Sequence, residues 1–206
     1  PRPFILVLEG AIPVEMPQAC LIGGRRLSDV VIPLLRRAQF VVGAGTCASY
    51  GGIPSAEGNV TGAKSVAEFA AGEKIAMQGR LVNCPSCPCH PAELLGTLAH
   101  LAGKGYPEVK PDTFVPTMYS SVCLHYSCPR LPQFNARQFA MSFGDGDGCL
   151  YQLGCRGHDV YADCERHRWN GEVNSCIQAS APCIGCNQPT CATARSYPSY
   201  NKGDAT

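Results

Sequence analysis

Two sets of residues with metal-ligating chemistry stand in the second half of the chain. His125 and Cys128 lie three apart in HYSC, and Cys149 and Cys155 return in CLYQLGC. Three thiolates and one imidazole make four ligands, a set that suits tetrahedral zinc or one [4Fe–4S] cluster; spacing does not choose between them. Cys164, Cys176, Cys183 and Cys186 form the second set, with CIGC as a tight C-x-x-C in which Gly185 lets the backbone turn. Cys191 follows closely enough to compete for a place. A third group is incomplete: Cys47 and Cys87 fall in two separate loops. Cys84 and Cys89, beside Cys87 in NCPSCPCHP, could complete it on paper. Neighbours in a proline-rich loop point different ways, however, so their part in a metal site is doubtful.

The chain has 206 residues, 14 of them cysteine, and a net charge near +1. That charge gives no reason to invoke nucleic acid or an anionic membrane. No apolar stretch is long enough to span a bilayer. No leader stands at the start, and a processed one would be invisible. A disulfide framework is one reading of the cysteines. Against it, the first 80 residues carry only Cys20 and Cys47 and read as ordinary α/β protein. The crowding begins at Cys84, which favours metal or iron–sulfur chemistry.

Elements must position these side chains. FILVL at 4–8 and FVVGA at 40–44 predict strands, and the periodic SDVVIPLLRRA at 28–38 predicts a helix between them. Pro33 interrupts that helix or sits in its first turn. The second strand runs into GTCASYGGIP, a glycine-rich loop. Residues 64–71 predict a short helix, RLVN at 80–83 a third strand, and AELLGTLAHLAG at 92–103 a helix. Doubly wound sheets put their chemistry in loops at the carboxyl ends of the strands, where Cys47 and the 84–89 cysteines fall. The sheet is short, and its remaining strands are expected outside these residues.

After about residue 107 apolar periodicity nearly vanishes, leaving short helices near 134–142 and 159–167. Such a region buries little apolar surface. Bound metal contributes folding free energy directly and would offset the ordering entropy; disulfides are the alternative.

The chain resembles the small, electron-transferring subunit of nickel–iron hydrogenases. The matching stretches are LVLEGAIP, GTCASYGGIPSAEGNVTGA, CPCHP with GTL, HYSCP, CLYQLGCRG, RWNG and PCIGCNQP, in family order over nearly the whole chain. The resemblance implies an α/β fold: a partial flavodoxin-like doubly wound parallel sheet over 1–106, then an irregular, mostly coil and short-helix iron–sulfur domain over 107–206.

It also implies a division of ligands. Cys47 and Cys87 match two ligands of the proximal cluster. The other two belong to an amino-terminal C-x-x-C that is not among these residues, whether undescribed, processed away or supplied by a separate polypeptide. His125, Cys128, Cys149 and Cys155 match the distal [4Fe–4S] cluster. Cys164, Cys183 and Cys186 match the medial thiolates. Cys176 stands where the common form has proline, as in the selenium-containing branch with a full medial [4Fe–4S]. Three [4Fe–4S] clusters would then relay electrons between a Ni–Fe centre on a large subunit and a c-type cytochrome, ferredoxin or other carrier. The family reaction is reversible H2 oxidation.

No catalytic residue is expected on this chain itself. Glu9 is expected at the subunit interface, holding the proximal loop, passing protons or serving as an ordinary salt-bridging residue. Arg168 and Trp169 are expected near the medial cluster, and Gly45, Gly51 and Gly52 where backbone approaches the proximal one. Cys20, Cys123 and Cys191 match no ligand and read as buried thiols. A periplasmic or peripherally membrane-associated location is favoured over the cytoplasm. The competing functions are a zinc-stapled structural or interaction protein and a hydrogen-sensing relative.

Overall fold

The computed structural model describes residues 2–191. Strand β1 (Ile5–Glu9) opens it, followed by the two-residue strands β2 (Ile12–Pro13), β3 (Leu21–Ile22) and β4 (Arg25–Arg26). Helix α1 (Leu27–Arg37) leads into β5 (Phe40–Ala44), α2 (Gly45–Tyr50), β6 (Ala63–Lys64) and α3 (Val66–Gly72). Strand β7 (Leu81–Cys84) and helix α4 (Pro91–Gly103) follow. Beyond them the described chain holds α5 (Leu131–Asn135), α6 (Cys164–His167) and short 3-10 turns.

The main sheet has the order β1-β5-β7 and is parallel throughout. Its register pairs Glu9 with Ala44 and Ala44 with Cys84. All three strands therefore end at one level, and the chain leaves each into a loop on the same side.

Side chains alternate across a strand, and the two faces bury different partners. Val41 and Leu81 face Val31 and Leu35 of α1 and Val66 and Phe69 of α3. Val42, Val82 and Cys84 face Leu101 of α4. With helices on both faces, the central strands read as continuous apolar runs. Each fully buried valine or leucine contributes about 1.5–3 kcal/mol of burial free energy.

Local chemistry fixes the helix ends. Ser65 and Glu68 form a reciprocal capping box at the start of α3. Pro91 occupies the first turn of α4, where its missing N–H costs nothing, and His90 Nδ1 accepts from the Ala92 N–H at 3.2 Å. Arg80 donates to the Leu35 and Ala38 carbonyls, satisfying acceptors that the end of α1 leaves open. Pro33 lies inside α1 without ending it. It sits on the solvent face with Asp29, whose carbonyl the proline cannot bond, so water can reach that group.

Three expected elements differ. The helix expected at 159–167 forms only as α6, because Val160 is extended and Tyr161 bridges Cys123. The glycine-rich stretch after β5 is the helix α2, with Gly51 at φ 87° as its C-cap. The helix expected at 134–142 ends at Asn135, and Arg137 turns at φ 57°. Phe139 then bridges Cys149, and the Ala140 N–H donates to the Cys149 carbonyl at 2.9 Å. A backbone partner far along the chain replaces the i−4 partner a helix would use.

The chain divides into two compact units, Pro1–Thr117 and Met118–Thr206. Residues 106–114 join the first because Tyr106 donates its hydroxyl to the Leu81 carbonyl at 2.9 Å and the Asn83 N–H donates to the Phe114 carbonyl at 2.8 Å. The second unit has a small core of Leu124, Ala140, Leu150, Val160, Ala162 and Ile177, with Cys128, Cys155, Cys164 and Cys183 packed against it. Residues 192–206 of the expected second domain lie outside the described residues. No described helix is long and apolar enough to cross a membrane.

Candidate cluster-binding sites

In the first unit the sheet delivers its chemistry at the common strand end. Cys47 sits in α2, three residues beyond β5; Cys87 lies in the turn after β7. The two loops are clamped together. The Thr46 N–H donates to the Ser86 carbonyl, and the Ser86 N–H donates to Thr46 Oγ1, each at 3.0 Å. Gly43 and Asn83 set the level beneath this clamp. A Cβ on Gly43 would lie 2.5 Å from Asn83 Oδ1, so only glycine admits the asparagine, which donates to the Ser49 and Thr113 carbonyls. Gly52, at φ 56°, packs on Cys47 so closely that a Cβ there would meet its sulfur at 2.8 Å.

Burial pushes the Cys47 thiol up, and the neighbouring Cys87 adds to this, while the Ile53 N–H hydrogen-bonds the sulfur and opposes it. Glu9, exposed at the end of β1, also lies within electrostatic range. The structure thus brings Cys47, Cys87 and Glu9 together.

Cys84 turns elsewhere, and Cys89 lies between the two sides, its sulfur accepting from the Gly45 N–H with Glu9 in electrostatic range. The Cys84 and Cys89 thiols lie within hydrogen-bonding range of each other, which pushes the Cys84 thiol up and the Cys89 thiol down. Cys84 is buried on the α4 face, 3.3 Å from Thr97 Oγ1.

In the second unit His125, Cys128, Cys149 and Cys155 line one small open cavity with Arg130, Tyr151, His158 and Ile177. His125 and Cys128 come from one 3-10 turn and its end, and Cys149 and Cys155 flank another, Leu150–Leu153. The His125 ring stands edge-on to Phe134 with centroids 4.6 Å apart. Burial lowers its pKa, and the nearby His158 lowers it further, which favours the neutral imidazole that binds metal. Burial pushes the Cys128 and Cys155 thiols up. Backbone donors oppose this: the Arg130 N–H lies 3.4 Å from Cys128 Sγ and the Cys183 N–H 3.3 Å from Cys155 Sγ.

That last bond ties the second group to the first. Cys183 lies within electrostatic range of Cys155, Cys186 and Cys164, and burial raises its thiol strongly. Cys164 opens α6. Cys176 is exposed and interacts with Glu165, whose carboxyl shares a hydrogen bond with Ser175. Arg130 was not singled out by sequence, yet its buried guanidinium donates to the carbonyls of Ile177 and Gly148 and to Ser180 Oγ. It joins the residues beside Cys149 and Cys176; its place two after Cys128 was the one available signal. Thr46 and Ser86 carried no such signal, because their pairing is tertiary.

Among the remaining residues, Cys123 Sγ lies 3.5 and 3.2 Å from the Gly157 and His158 carbonyls, Cys20 packs on the first core and Cys191 is buried. Arg168 caps α6 at φ 50°, and Trp169 bridges Asn174.

These donor sets fit iron–sulfur clusters. The ligands are soft thiolates, the sulfurs receive backbone N–H groups, and the raised thiol pKa values mark repulsion and burial that a cationic iron core would relieve. Among the described residues no three of His, Cys, Asp or Glu converge closely enough to hold a single metal ion. A cluster takes each ligand at a different iron and spaces them more widely.

Known proteins resemble this chain in sequence and fold. Residues 119–198 match the C-terminal family of the NiFe/NiFeSe hydrogenase small subunit, and residues 2–101 match the family of the 20 Kd NADH ubiquinone oxidoreductase polypeptide. The chain is 39% identical over 204 residues to the periplasmic [NiFeSe] hydrogenase small subunit of Desulfomicrobium baculatum, covering 90% of this chain and 63% of that protein. Identity to the periplasmic [NiFe] hydrogenase small subunit of Solidesulfovibrio fructosivorans is 33% over 191 residues, covering 90% and 58%. The chain thus spans less than two thirds of the length of these relatives. It superposes on the structure of H2-activated Dm. baculatum [NiFeSe]-hydrogenase with a TM-score of 0.82 at 38% identity, covering 90% of this chain and 71% of that one. Family match, sequence identity and structural similarity agree, and the chain belongs to the NiFe/NiFeSe hydrogenase small-subunit family, with higher identity to the selenium-containing relative than to the nickel–iron one.

Proposed function

We propose that this chain is the electron-transferring part of a hydrogenase complex that interconverts H2 with protons and electrons at a Ni–Fe centre on a large subunit. His125, Cys128, Cys149 and Cys155 hold a distal [4Fe–4S] cluster. Cys164, Cys176, Cys183 and Cys186 hold a medial one. Cys47 and Cys87 hold a proximal one, completed by ligands outside these residues. When bound, these groups supply one-electron carriers between the large subunit and an external partner such as a c-type cytochrome or a ferredoxin.

The chain's own residues hold and tune. Backbone N–H groups of Ile53, Arg130 and Cys183 favour the thiolate forms of Cys47, Cys128 and Cys155. Phe134 fixes the His125 ring. Leu124, Leu150 and Ile177 exclude water beneath the distal ligands. The sheet domain carries the proximal ligands and the irregular domain the other two sets. A periplasmic location follows from the relatives, which are named as periplasmic hydrogenases.

The observation that carries this reading is the convergence of one histidine and three cysteines on a single cavity in the second unit. Metal and acid-labile sulfide analysis of the anaerobically isolated complex tests it. About twelve cluster irons with matching sulfide and one nickel are expected. Zinc without sulfide would sink the electron-transfer reading. A medial potential far above its neighbours would remove Cys176 from the ligand set.

A further inference from the structure

The three cysteines of NCPSCPCHP meet two environments, and Cys89 touches both: it packs on the α4 side, while its sulfur accepts from the Gly45 N–H near Glu9. Cys87 is exposed and turns toward Cys47. Cys84 ends β7 and points into the small apolar cluster beneath α4, with Val42, Val82 and Leu101. Cys89 packs against that same cluster, because the turn 86–89 folds the chain back over the strand end. The two thiols, packed in one cluster, lie within hydrogen-bonding range of each other, and Cys89 Sγ is also 3.8 Å from the His90 carbonyl. Thr97 Oγ1, 3.3 Å from Cys84 Sγ on the buried face of α4, holds one partner in place.

We propose that Cys84 and Cys89 form a reversible dithiol–disulfide pair, a redox-modification site that reacts with small soluble disulfides. A disulfide needs two sulfurs that already face each other, since Cβ vectors that point apart require backbone movement. Here facing side chains come from a strand end and the turn that follows it. Access assigns the order of events. Cys84 is 2% exposed, whereas Cys89 is half-buried, so the incoming disulfide meets Cys89. The Cys89 sulfur attacks it, forms a mixed disulfide and releases one small thiol. Cys84 then gives up its proton, attacks the Cys89 sulfur and releases the second small thiol. The two protein thiols lose two electrons and two protons; the soluble disulfide gains both. The pair stands beside the Thr46–Ser86 clamp, so its bond would stiffen the loop that carries Cys87. The proposal does not require iron at Cys47 and Cys87.

The test uses the anaerobically isolated complex equilibrated in reduced and oxidised glutathione at several ratios, then quenched in acid and alkylated. Trypsin releases the peptide from Leu81 to Lys104, which holds all three cysteines, and fragmentation between them reads each one. Cys84 and Cys89 are expected to leave the thiol pool together, with loss of two hydrogens and full reversal by dithiothreitol. Cys87 and the iron content should stay unchanged. In C84S, Cys89 is expected to stop as a glutathione adduct. In C89S, which spares the buried position, Cys84 should stay reduced. Cys84 and Cys89 reduced at every ratio would overturn the proposal. So would a stable glutathione adduct on Cys89 in the unaltered chain, or pairing of either with Cys87. Thiols that react only after iron is stripped would make the two residues cluster ligands instead.

Discussion

In residues 2–117 the strands β5 and β7 bury valine and leucine on both faces of a parallel sheet, and Cys47 and Cys87 sit beyond the strand ends. In residues 118–191 the order inverts. Six apolar side chains make the core, and four cysteines pack directly against it. The first unit has a hydrophobic reason to fold before any ligand arrives. The second places its candidate ligands directly against a small core. With the proposed clusters bound, inorganic ligation would do in the second unit the thermodynamic work that apolar area does in the first.

Iron removal tests this contrast most severely. Chelation under reducing conditions is expected to abolish amide-exchange protection across 118–191 while β5 and β7 stay protected. Equal loss in both halves would erase the distinction. Leu81→Ala probes the other side. Leu81 is fully buried, so truncation should cost about 2–5 kcal/mol in denaturant unfolding, with no change in exchange around Leu150.

Arg130→Met should cost about 1.5–3 kcal/mol, because it deprives buried acceptors of a charged donor. Its exchange signature should fall within the second unit alone. The smallest effect is expected at the exposed loop 141–148. The Ser142 hydroxyl and N–H, with the Met141 N–H, hold the Asp145 carboxyl below the usual range. A depressed carboxylate stabilises above its unfolded pKa, and that contribution is lost as pH falls through the folded value. Asp145→Asn should therefore speed exchange of the Met141 and Ser142 amides at neutral pH and make no difference in strong acid.

The contrast also explains what could be read from sequence. FVVGA and RLVN announce strands because strands buried on both faces demand continuous apolar runs, and FILVL reads the same way at the less buried sheet edge. The α2 helix stayed hidden among glycines, since a six-residue helix is held by its neighbours more than by its own propensity. In the second unit periodicity misled at 134–142, where Phe139 and Ala140 pair with Cys149. Short spacings such as HYSC and CIGC show which ligating residues are neighbours. The mutual contact of Cys84 and Cys89, the Thr46–Ser86 clamp and the reach of Arg130 depend on how distant segments meet, and no local pattern encodes them.

The peptide N–H of Cys183 points at the sulfur of Cys155. One dipole is therefore common property of two ligand sets. Negative charge added at Cys155 draws that dipole and alters the backbone from which Cys183 hangs; charge withdrawn there releases it. With both proposed clusters bound, the two sets would act like the plates of a small capacitor. Their titrations should then be interdependent even though they share no side chain.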